Sequence, residues 1–227
     1  MSSAPTTPSG QLLPGQRLSR EEFLRRWEQL PELKNAELID GLVYMSSPVS
    51  IGHGEIEVPL ASLLHLYAIN TPGCKAGTNT TWLMLESAPQ PDLHLRLLPE
   101  FGGLSKVSEK YPQGTPELVI EITVSSQHSD AGPKRALYQR AGVREYVTVL
   151  VESAEVSWRC LDEKGSYERV APDANGWYRS RAFPGLWLDA KALFEDEGQR
   201  LLNVLQQGLG SPEHTAFVAE LESRRTA

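Results

Sequence analysis

One segment constrains this chain more than any other. Residues 118–124 read LVIEITV, a run of apolar and β-branched side chains broken by Glu121. A strand of that composition is buried on both faces, as in a sheet with helices on either side. A carboxylate at its centre is costly to bury unless a cation, a hydrogen-bond donor or a metal meets it. The segment therefore predicts both a layered α/β architecture and a partner for Glu121.

The residues after this strand extend the architecture. In SSQHSDAGPKRALYQRAGV, Ser129 or Asp130 is placed to cap a helix, Pro133 suits its first turn, and Gly142 suits its end. Residues 145–151 form a second apolar, β-branched run. Strand, helix, strand in this order predicts a right-handed crossover between neighbouring strands.

Upstream, Ser19 and Glu22 have capping-box spacing before Phe23, Leu24 and Trp27. Asp40-Gly41 between short apolar segments predicts a hairpin of residues 37–39 and 42–45. Apolar residues recur at helical spacing over 53–70, with Pro59 requiring a helix start or a kink there. Residues 75–98 read as extended segments and 99–115 as a loop. Downstream, 156–160, 167–170 and 177–180 read as a β-meander, followed by helical stretches at 193–194 and 197–209.

Residues 1–16, rich in Ser, Pro, Thr and Gly, predict a disordered leader. The division expected is a core domain over 17–196 and a helical tail over 197–227. The start lacks the basic and apolar regions of a signal peptide, and no apolar run reaches the roughly 18 residues that a membrane span needs, so a cytoplasmic location is expected. Two cysteines, Cys74 and Cys160, make no disulfide framework and predict buried thiols.

The chemistry gathers around acids. Asp92 follows Pro91 and opens a strand, DLHLRL. With Glu121 on an adjacent strand, hard oxygen ligands converge in a way that suits Mg²⁺ or Mn²⁺. Glu37, from ELIDG, is a third candidate acid, and Lys134 lies a short loop and one helical turn beyond Glu121. Carboxylates plus a lysine supply what phosphodiester hydrolysis needs: a metal to activate water and neutralise phosphate, and a cation to position water or stabilise charge. His53 is placed to contact phosphate or orient a ligand, with a structural hydrogen bond as the competing role. Tyr138 and Tyr146 read as core aromatics.

The order ELIDGLVYMSSP, His53, Pro91-Asp92, PELVIEI and D-x-x-x-K-R-A-L-Y-x-x-A-G-V-x-E-Y resembles the Uma-two family of proposed restriction endonucleases, in the PD-(D/E)XK nuclease superfamily. The resemblance covers about residues 19–196 and is most specific over 116–146. It implies a restriction-endonuclease-like core, a central mixed β-sheet flanked by helices with an antiparallel β extension. It implies that Asp92 and Glu121 are metal ligands with Glu37 as a third, that Asp92, Glu121, Lys134 and Glu37 form the catalytic set, and that Mg²⁺ or Mn²⁺ is the cofactor. It also implies a nucleic-acid substrate, DNA first, and by analogy a homodimer. Thr123 stands where the superfamily's E-x-K lysine would be, and Lys134 matches the lysine displaced onto the following helix. Asp130 matches the aspartate four residues before it and doubles as a helix cap. The chain departs from the family at Val124-Ser125-Ser126, where a Ser-Pro-Ser-like turn is usual, and at Val151-Glu152, where the strand usually runs towards an Asp.

The net charge of −7 argues against a broad basic surface for duplex DNA. It keeps open an inactive nuclease-like fold used for nucleic-acid binding or protein interaction. A two-carboxylate glycosidase ranks last, because no aromatic platform flanks either acid. No G-x-S-x-G, Walker A or H-E-x-x-H motif occurs.

Overall fold

A computed structural model describes residues 11–45, 49–108, 110–124 and 131–225. Its centre is a six-stranded sheet of order β10-β9-β8-β7-β4-β3. The strands are β3 (Cys74–Thr78), β4 (Leu93–Leu97), β7 (Leu118–Thr123), β8 (Glu145–Leu150), β9 (Glu155–Leu161) and β10 (Tyr167–Val170). β7 and β8 are parallel, and every other neighbouring pair is antiparallel. The mixed α/β fold expected from the sequence is the fold observed.

Helices cover both faces. Helix α2 (Ile51–Ile69) lays Ile56, Leu60, Leu63, Leu64 and Tyr67 on one face of the sheet, against Leu93, Leu95, Leu118, Ile120 and Val147. Pro59 neither starts nor ends it; the helix runs through that position from a Ser50 cap, whose hydroxyl accepts the His53 N–H at 3.3 Å. Helices α5 (Gly198–Leu209) and α6 (Pro212–Arg225) pack on the same core through Leu201, Leu205, Phe217 and Leu221. Helix α3 (Ala131–Ala141) covers the other face, where Tyr138, Val119, Tyr146, Trp82 and Met84 cluster. Gly142, at φ 87°, ends α3 as its position predicted. The residues read as its N-cap, Ser129 and Asp130, lie outside the described residues.

At the amino end, α1 (Arg20–Trp27) packs on the hairpin of β1 (Ala36–Ile39) and β2 (Leu42–Met45). Asp40 and Gly41 both take positive φ, 50° and 77°, which matches the twist of a tight hairpin. Of the expected leader, residues 1–10 lie outside the described residues. Residues 11–16 are packed: Leu12 is buried beside Phe23 and Trp27, and Gly15 N–H bonds the Val43 carbonyl. Order thus precedes Ser19, because Leu12 finds an apolar pocket that local composition does not reveal.

Two further expectations are corrected. The expected loop at 99–115 contains a hairpin, β5 (Ser105–Ser108) and β6 (Tyr111–Gly114). Its Pro112 is tolerated because the ladder has only two strands, so a missing N–H need not break a central pairing. The expected third strand of the meander, β11 (Trp177–Arg179), leaves the main sheet and pairs with β12 (Trp187–Asp189). No helix among the described residues is long and apolar enough to cross a membrane.

Candidate functional site

The register of β4 on β7 sets the site. Leu93 pairs with Ile120, so the next step of the same antiparallel register sets Asp92 beside Glu121. Asp92 is fixed there by its main-chain neighbour: the Ile122 N–H donates to its Oδ2 at 2.6 Å.

Glu121 points to the α3 side and is buried. Two residues one turn apart on α3 reach it, as i,i+4 spacing allows. Lys134 Nζ donates to Oε2 at 2.9 Å, and Tyr138 hydroxyl donates to Oε1 at 2.7 Å. Lys134 also lies 2.9 Å from Glu37 Oε1 and 3.3 Å from the Gln90 carbonyl. Glu37 is held in turn by the Gln90 N–H at 2.5 Å. The structure therefore brings Glu37, Asp92, Glu121 and Lys134 together from β1, the start of β4, β7 and α3. An ammonium has three donors; Lys134 hydrogen-bonds Glu121 and the Gln90 carbonyl and forms an ion pair with Glu37.

Other buried glutamates nearby show what is particular about Glu121. Glu117 accepts main-chain N–H groups of Leu97 and Leu104. Glu145 accepts the Ser180 hydroxyl and the N–H groups of Arg181 and Ala182. Both are satisfied by fixed neutral donors and act as structural staples. Glu121 instead faces an ammonium and two further acids.

The charges do not balance. Burial raises the Glu121 carboxyl well above the usual carboxylate range; Lys134 pulls it back, while Asp92 and Glu37 push it further up. Burial would lower the Lys134 ammonium, but Glu121, Glu37 and Asp92 outweigh burial and raise it. Three acids surround one cation, and burial first, then the charges of Asp92 and Glu37, raise the proton affinity of Glu121.

On the α2 side, His53 Nε2 faces Asp92 Oδ1 at 3.5 Å and Nδ1 faces Glu57 Oε2 at 3.6 Å. Contact with Asp92 raises the His53 imidazolium above its ordinary value, against the effect of burial. Nδ1 is buried and makes no hydrogen bond. From the sequence, His53 was only a competing possibility and Tyr138 only a core aromatic. The four-residue step from Lys134 to Tyr138 was the available signal for the hydroxyl. Glu57, one turn after His53, carried the same kind of signal.

A family described as Uma2, putative restriction endonuclease, matches residues 20–191. The chain belongs to the Uma2 family. Its fold is similar to a crystal structure titled as a putative nuclease belonging to DUF820 from Anabaena variabilis, with TM-score 0.61, 17% identity, and 78% of this chain and 98% of that chain covered. At that identity the likeness concerns the fold. A search of curated proteins gives no match. The site residues Glu37, Asp92, Glu121 and Lys134 all fall inside the segment matched to Uma2.

Asp92 and Glu121 are oxygen donors on neighbouring strands that could hold a cation, and His53 Nε2, 3.5 Å from Asp92 Oδ1, adds a third polar group at the same edge. Among the described residues, no three His, Cys, Asp or Glu side chains are gathered closely enough to cage an ion as they stand. Between Glu37 and Glu121 the Lys134 ammonium fills the gap instead.

Proposed function

We propose that this Uma2 protein is a metal-dependent endonuclease that hydrolyses phosphodiester bonds, with DNA as substrate and Mg²⁺ or Mn²⁺ as cofactor. The observation that carries the reading is the gathering of three carboxylates, buried Glu37 and Glu121 with half-buried Asp92, against the single ammonium of Lys134. The donor set is hard oxygen, which fits these ions, and a divalent charge would offset the surplus. Family membership supports the same reaction class.

Asp92 and Glu121 would hold the metal, which when bound supplies an activated water and neutralises phosphate charge. Glu37 holds Lys134 against Glu121. Lys134 stabilises negative charge beside the water once it releases an acceptor, and the Gln90 carbonyl, at 3.3 Å, is its longest contact. Tyr138 fixes the second Glu121 oxygen, leaving the carboxylate one orientation. A cytoplasmic location and a homodimer that cuts both strands go with this reading.

Cleavage of plasmid and oligonucleotide DNA with Mg²⁺ or Mn²⁺, comparing wild type with Asp92→Ala and Glu121→Ala, tests it. Cleavage lost in both variants is the expected result, while metal-dependent cleavage retained by both would overturn the assignment. Absence of Mn²⁺ binding by calorimetry at millimolar concentration would favour the inactive, interaction-module alternative.

A further inference from the structure

We propose that helix α2 is the surface through which two copies of this chain pair, antiparallel and two-fold related, along the stripe Ile51, Glu55, Val58, Ser62, His65 and Ile69. The inference supplies an interface for the homodimer named above. It stands apart from the cleavage reading, because the pairing needs neither metal nor DNA.

Exposure and spacing carry the argument. One face of α2 is buried through Ile56, Leu60, Leu63, Leu64 and Tyr67. From Ile51 to Ile69 the exposed residues are Ile51, Glu55, Val58, Ser62, His65 and Ile69. Their spacing alternates between four and three residues, which keeps all six on one narrow stripe opposite the core. A helix face turned to water is normally charged and polar. This one holds a single acid and three β-branched apolar residues, Ile51, Val58 and Ile69, at 82%, 67% and 64% exposure. With Val49, they make up half of the exposed large apolar residues among the described residues. The adjoining row, Gly54, Ala61 and Ala68, raises no long side chain that would hold a second helix away.

The order of residues along the stripe selects the partner and its direction. A two-fold axis at the middle of α2 sets Ile51 against the partner's Ile69, Glu55 against the partner's His65 and Val58 against the partner's Ser62, each pair occurring twice. Apolar side chains then meet at both ends. Between them, a carboxylate meets an imidazole that can donate to it. Ser62 is small, and its hydroxyl already donates to the Val58 carbonyl at 2.8 Å, so valine meets no unpaired donor there. A parallel pair would set Glu55 on Glu55 and repel. At the carboxyl end of α2, the partner's Val49 and Ile51 come beside a groove between α2 and α5 lined by Leu66, Asn70, Leu202 and Leu209. A helix pair alone is smaller than the roughly 800 Å² per partner of a standard interface, so the dimer is concentration-dependent.

Sedimentation velocity of the full chain, without metal or DNA, tests the inference. The wild type should show a monomer–dimer equilibrium that moves to dimer at high micromolar concentration. His65→Glu sets acid against acid in both symmetric pairs and should raise the dimer Kd by about 10-fold or more. Adding Glu55→Lys recreates an opposite-charge pair and should return the Kd towards the wild-type value. Both positions are exposed, so the core is untouched, and circular dichroism checks the fold. A wild type that stays monomeric overturns the proposal and leaves the stripe to a different partner. A dimer unchanged by His65→Glu, or weakened but not rescued by the double variant, overturns pairing through α2. Absent cleavage by a chain that dimerises as stated overturns the nuclease reading alone and supports this one.

Discussion

Lys134 Nζ lies 2.9 Å from Glu121 Oε2 in an interior that leaves the two side chains 10% and 9% exposed. Removing one partner of such a pair strands the other. Lys134→Met leaves Glu37 and Glu121 facing each other without a cation, and the expected loss of stability is about 3–5 kcal/mol by urea denaturation. Adding Glu121→Gln to that variant should restore part of the loss. A double variant whose loss equals the sum of the losses in Lys134→Met and Glu121→Gln alone would show that the two residues are not coupled.

Tyr138→Phe tests the other side of Glu121. The ring stays in the core with Tyr146 and Trp82, and only the hydroxyl donor to Glu121 is lost. A hydrogen bond to a charged group is worth about 1.5–3 kcal/mol, so denaturation should show a loss in that range with the fold intact by circular dichroism. In the cleavage assay, lower activity at unchanged metal affinity is expected, as befits a positioning residue.

Gly77→Ala tests packing on the Glu121 side of the sheet, at the β3–β4 pair. A Cβ at Gly77 would come 2.4 Å from Cε1 of the buried His94, which sits edge-on to Trp82. His94 is buried against Trp82, and an overpacked core site costs about 1–3 kcal/mol. Thermal or urea unfolding should show that loss, and pairing the change with His94→Ala should relieve it.

His214 predicts a pH dependence. It is buried between α5 and α2, with Nδ1 3.0 Å from the Leu209 carbonyl and Nε2 3.0 Å from the Thr71 hydroxyl. Burial lowers its imidazolium below the ordinary value of 6.5. The unfolded chain therefore binds the proton first as pH falls. The contribution of His214 is fully present above about pH 6.5 and is lost as pH falls towards its folded value. Denaturation midpoints measured between pH 7.5 and pH 5 should fall for wild type by more than for His214→Gln.

Much of the site was legible because its chemistry lies in single residues set in incongruous surroundings. Glu121 in LVIEITV announced a partner, and Lys134 on the next helix supplied it. The α/β layering followed from the same strand. Other features were hidden for physical reasons. The β5–β6 hairpin is rich in turn formers, and its pairing depends on Leu83 bonding the Pro112 carbonyl from a distant segment. β11 leaves the meander because its partner, β12, comes later in the chain. Glu117 and Glu145 look as chemically loaded as Glu121 until their main-chain donors are seen. His53 and Glu57 stand one turn apart in the sequence, but nothing in it says that this turn of the helix faces Asp92.

The β4–β7 ladder has a consequence for how such a site drifts. The spacing of Asp92 and Glu121 is dictated by peptide groups, which every residue shares, and not by the side chains between them. The apolar residues of both strands are then free to exchange among themselves with the acids held in step. A shift of the ladder by a single residue is another matter, since it would turn Asp92 to the opposite face. Point changes within these strands should therefore be forgiven where a one-residue insertion or deletion is not.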